Sequence, residues 1–68
     1  MAGVTIYLAR KLYLPSGIVL QRHVVTVQER CVLEWRPFDV EAQSMLLVEE
    51  MYVCAAADGT LLVENIVF

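Results

Sequence analysis

The chain has 68 residues, a formal net charge of −3 and a hydrophobic fraction of 59%. That length holds a single domain, residues 1–68, and excludes a second, because each domain needs a buried core of its own. Two cysteines, Cys31 and Cys54, exclude the disulfide framework of a tiny secreted domain, and the acidic balance argues against strong nucleic-acid binding, where phosphate neutralisation dominates affinity.

The N-terminal residues, Met1 to Leu8, lack a basic leader, since Arg10-Lys11 follow the apolar stretch instead of preceding it. A cytoplasmic protein is expected. No uncharged apolar run approaches the roughly 18 residues of a membrane span, so no membrane partner is expected either. Residues 4–9, with Thr5, Ile6 and Tyr7 in a row, read as a strand covered on both faces. Pro15-Ser16-Gly17 then joins a fixed φ to a residue free to take positive φ, which predicts a chain reversal.

Residues 18–28 are again strand-like, but the apolar phase slips. Ile18 and Leu20 share one parity and Val25 and Val27 the other, so a bulge is expected near Gln21–His23. Gln28-Glu29-Arg30 is the next polar break. Cys31, Leu33 and Trp35 alternate with Val32, Glu34 and Arg36, predicting a half-buried third strand that Pro37 ends.

Residues 39–57 support two readings. Asp39 as a cap, the helix-favouring Glu, Ala, Met and Leu, and Asp58-Gly59 as a stop describe a helix around 40–56. Against it, Glu41, Gln43, Ser44, Glu49 and Glu50 do not gather on one helical face. The strand reading has residues 45–48, a turn at Glu49-Glu50, and residues 51–54. Asp58-Gly59 then predicts a hairpin, with residues 60–63 as a strand that residues 66–68 continue past Glu64-Asn65.

Three segments carry a resemblance: Tyr13-Leu14-Pro15-Ser16-Gly17-Ile18-Val19-Leu20-Gln21-Arg22-His23-Val24-Val25-Thr26-Val27, Trp35-Arg36-Pro37-Phe38, and Ser44-Met45-Leu46-Leu47-Val48-Glu49-Glu50-Met51-Tyr52-Val53. Their rhythm of strand, turn and strand resembles short bacterial β-proteins that look like the small β-domain opening amidohydrolase-family chains. The resemblance favours strand over residues 44–54. Amidohydrolase enzymes carry a metal-binding His-x-His after that small domain, whereas this chain has one histidine, His23. The resemblance therefore implies a stand-alone β-module without the metal-carrying barrel and its hydrolysis.

Chemistry-bearing residues are few. His23 with Cys31 or Cys54 is the one nucleophile-and-base pair that can be written, and a thiol-dependent enzyme would need them adjacent. The alternative is that the cysteines are small core hydrophobes. No close paired spacing of zinc ligands and no Gly-rich phosphate loop is present, so no metal and no cofactor is expected. Glu41 with Glu49-Glu50 reads as a solvated face in preference to an acid–base pair. Charge is unevenly spread: the segment before Pro37 carries about +3 and the remainder about −6. A basic face built from Arg10, Lys11 and Arg22 beside Tyr13 and Trp35 would suit single-stranded nucleic acid.

The sequence thus predicts a mainly β fold, a small antiparallel roll or partly open barrel of about five strands. The alternative is an α+β sheet with one helix. A core this small cannot enclose every apolar residue, so the expected role is non-catalytic: a protein-interaction module, self-assembling as a dimer or higher homo-oligomer or contacting another protein.

Overall fold

A computed structural model describes residues 3–38 and 45–68. The described residues form five strands and no helix: β1 (Val4–Tyr13), β2 (Val19–Gln28), β3 (Cys31–Pro37), β4 (Leu46–Ala55) and β5 (Leu61–Val67). The order in the sheet is β1-β2-β3-β5-β4, returning to β1, so the expected small β roll closes into a ring. The helix around 40–56 is excluded over β4, which runs straight through Glu49-Glu50 where the sequence suggested a turn. Residues 39–44, with the proposed cap Asp39 and with Glu41, lie outside the described residues.

Local chemistry sets each reversal. After β1, Gly17 takes φ +95° and donates its N–H to the Leu14 carbonyl at 2.9 Å, the turn that Pro15-Ser16-Gly17 predicts. Glu29 and Arg30 join β2 to β3 with φ of +52° and +69°, the two left-handed positions of a primed hairpin turn, here without the usual Asn-Gly. Asp58-Gly59 makes the last reversal. Gly59 has φ +91°, and the Thr60 N–H donates to the Asp58 carboxylate at 2.9 Å.

Pairing is antiparallel throughout the ring except between β1 and β4, which are parallel, Leu8 facing Leu47 and Lys11 facing Glu50. The seam between β3 and β5 is narrow. One pair, Cys31 with Leu62, joins them, reinforced by the Val63 N–H donating to the Arg30 carbonyl at 2.8 Å and Arg30 Nη2 donating to the Val63 carbonyl at 3.2 Å. The ring is therefore thinnest between β3 and β5.

The core is a cluster of Ala9, Leu12, Val25, Val27, Val48, Met51, Val53 and Val63, with Tyr7, Leu14, Leu20, Val32, Trp35, Leu61 and Ile66 packed against it. In every strand the inward parity changes partway along. Tyr7 and Ala9 point inward, Arg10 and Lys11 do not, and Leu12 does again; β4 repeats this as Val48, Glu49-Glu50 and Met51. In β3 and β5 the cause is one extra residue opposite the partner, Leu33 between Val32 and Glu34, and Glu64 between Val63 and Asn65. The third strand consequently does not keep the clean alternation of its sequence: Leu33 is 53% exposed and Val32 takes the inward place.

Strands β4, β1 and β2 change phase together, in unbroken register, at the row Glu49–Arg10–Arg22. Arg22 there takes φ +57°. The slip expected near Gln21–His23 exists, but as a crease shared by three strands with no inserted residue between β1 and β2. The register shift of β2 falls instead against β3, between Thr26 and Val27.

Candidate functional site

Register alone orders the outer face of the crease. Ala9 pairs with His23 and Val48, and Lys11 with Gln21 and Glu50, so Arg10 lies between Arg22 on β2 and Glu49 on β4. Glu50 pairs with Val67, which sets Phe68 beside Glu49. One row across the ring thus reads Phe68, Glu49, Arg10, Arg22. The row beyond it reads Val67, Glu50, Lys11, Gln21, and two rows before it Leu47 stands beside Leu8.

These rows line a groove of about 630 Å³ formed by Leu8, Arg10, Lys11, Gln21, Arg22, Leu47, Val48, Glu49 and Phe68. Phe68 and Leu47 are the most exposed large apolar side chains described, at 76% and 71%. Arg10 Nη1 donates to Glu49 Oε2 at 3.2 Å, and the Arg22 guanidinium stands 5.8 Å from the centre of the Phe38 ring, within cation–π range. The Phe38 N–H also donates to the Arg22 carbonyl at 2.8 Å, holding the end of β3 against the crease.

Of the five residues that the sequence proposed for nucleic acid, Arg10, Lys11 and Arg22 come together in this groove. Tyr13 and Trp35 do not. Trp35 packs against the core, and Tyr13 stacks on Tyr52 at 4.5 Å with the rings 8° from parallel. The Tyr52 hydroxyl donates to Glu50 Oε1 at 2.7 Å, and that bond to a carboxylate, helped by desolvation and by the charge of Glu50, pushes its pKa up to about 12. The aromatic residue that does reach the groove is Phe68, which the β4–β5 register brings there.

His23 and the cysteines are apart. Cys31 pairs with Gln28, five residues along β2 from His23, or about 17 Å. Cys54 lies six residues along β4 from Val48, which shares a row with His23, or about 20 Å away. Cys31 and Cys54 flank Leu62 on either side, so their Cα atoms are about 10 Å apart, beyond the reach of a disulfide. The Gln21 carbonyl lies 3.0 Å from His23 Nδ1 and can only accept, which places the ring proton on Nδ1. Among the described residues no group of three His, Cys, Asp or Glu could hold a metal ion. No helix among them is long and apolar enough to cross a membrane. Compared with family models, with curated proteins and with solved structures, the chain has no match.

Proposed function

We propose that this domain is a non-catalytic protein-interaction module that assembles with copies of itself. The observation that carries the reading is the position of Leu47 and Phe68, the two most exposed large apolar side chains described, on one groove with Leu8. Exposed apolar clusters rimmed by polar groups mark contact sites, and a dimer of ordinary size hides about 800 Å² per partner, about a sixth of the 4582 Å² that this chain exposes. Replacing Leu47 and Phe68 together by Asp tests it by sedimentation velocity. The variant should sediment as a monomer with an unchanged circular dichroism spectrum, while the unaltered chain sediments as a dimer or larger; equal sedimentation of the two would refute the reading.

A second reading rests on the convergence of Arg10, Lys11 and Arg22, three of the five cationic side chains of the sequence, on that groove. Three cations beside an exposed phenyl ring suit the phosphates and one base of a single strand. Binding of an oligothymidylate at low salt that weakens steeply as salt is added would support this alternative, and no binding at low salt would end it.

A further inference from the structure

We propose that the crease is a two-fold dimer interface in which β1 of each copy lies over β4 of the other, pairing Arg10 with Glu49 and Leu8 with Leu47 between chains. The inference rests on the self-association reading and names the surface and the occupant, a second copy of this chain.

The register sets Leu8 beside Leu47 and Arg10 beside Glu49 on neighbouring strands, so a two-fold axis lying in the interface between β1 and β4, along the strand direction, carries β1 onto the position facing β4 and leaves heights along the strand unchanged. Every row is then matched with itself reversed. In the first row Leu8 meets the second copy's Leu47 and Leu47 its Leu8. In the next, Arg10 meets Glu49, and Arg22 meets Phe68 as a cation over a ring. In the third, Lys11 meets Glu50. These contacts follow from the registers Leu8 with Leu47, Lys11 with Glu50, Lys11 with Gln21 and Glu50 with Val67.

The same face is charge-segregated about that axis: the β2–β1 side carries Arg22, Arg10 and Lys11, and the β4–β5 side carries Glu49 and Glu50. A two-fold axis running across the strands would instead lay cations over cations and carboxylates over carboxylates, and like-charge contact disfavours that orientation. The intrachain ion pair of Arg10 and Glu49, both mostly exposed, is loose enough to be shared with the second copy.

The test is a charge swap read by light scattering coupled to size exclusion, with native mass spectrometry for mixed species. Arg10→Glu alone and Glu49→Arg alone should each weaken the dimer on the order of tenfold or more, since each places like charges at both symmetry-related contacts. Mixing the two variants should restore a dimer as the one-to-one heterodimer, because both contacts between chains are then attractive although each chain's own pair stays repulsive. The double variant R10E/E49R should form a homodimer. Recovery on mixing cannot arise from an intrachain effect, and a mixture that stays monomeric overturns the proposal. An unaltered chain that is a dimer insensitive to both single substitutions overturns this interface and leaves self-association standing. A monomeric unaltered chain removes both, and an oligothymidylate bound at low salt and lost on Arg10→Glu would assign the groove to a polyanion instead.

Discussion

At Glu29 and Arg30 the backbone adopts the left-handed conformation with side chains that do not favour it, at a cost of about 1–2 kcal/mol per residue. Asn tolerates that conformation, so Glu29→Asn should raise stability by up to about 1 kcal/mol, or roughly 4–8 °C in a domain of this size, in a thermal melt. Arg30→Ala should act the other way despite the same φ, because it removes the guanidinium that bonds the Val63 carbonyl across the thin seam. Two titrating groups give pH signatures. The Asp58 carboxyl is held below its usual range, first by the Thr60 N–H it accepts, so its contribution is present above the unfolded-state value and is lost as pH falls through the folded one. Tyr52 behaves oppositely. Its folded pKa of about 12 exceeds the ordinary 10.0, so its contribution holds below pH 10.0 and is lost on the way to about 12. Tyrosinate absorbance should show one tyrosine titrating late, and Glu50→Gln should bring it down; a late step unchanged by that substitution would refute the assignment to the Tyr52–Glu50 bond.

Among the elements, the crease is the part that the sequence stated least directly. The slip between Leu20 and Val25 is legible in the β2 sequence, as are the Pro15-Ser16-Gly17 and Asp58-Gly59 turns, because each depends on residues adjacent in the chain. What a single segment cannot state is that β1 and β4 slip at the same height. Arg10-Lys11 and Glu49-Glu50 each read as ordinary polar interruptions, and Glu49-Glu50 even reads as a turn, until the parallel register sets them side by side. Leu33 shows the converse. Its alternation with Cys31 and Trp35 looked regular, yet the bulge against β2 turns it outward. The site was legible in half: the cations that meet in the groove were marked by charge, whereas Phe68 and Leu47 reach it through pairing with distant strands. Arg22→Asn separates the backbone role of the crease from its charge, since Asn accepts φ near +57° but carries no cation. At a concentration too low for the dimer the variant should melt no lower than the unaltered chain, and at higher concentration it should dimerise more weakly; a lower melting temperature of the monomer with unchanged dimerisation would contradict this division.

For the molecule as a whole, a ring of five strands around so few buried side chains has little stability in reserve. A domain of this length is worth roughly 3–10 kcal/mol in total. Leu12 is fully enclosed, and Leu12→Ala should cost about 2–5 kcal/mol, enough to remove most of the cooperative transition in urea. The interior is thus committed to holding the ring shut, and among the described residues no polar side chain is buried in it. The charged and apolar groups of the crease lie outside, with Arg10, Lys11 and Arg22 towards one side, Glu49 and Glu50 towards the other, and Leu47 and Phe68 left uncovered. Association through such a face adds to the stability of each copy by mass action, so melting temperature should rise with protein concentration. The most direct measurement is the molar mass of the unaltered chain by light scattering after size exclusion, at low and high salt. Self-association through the crease predicts twice the chain mass at low salt and partial dissociation as salt screens the opposed strips; a mass of one chain at every concentration and salt would contradict it.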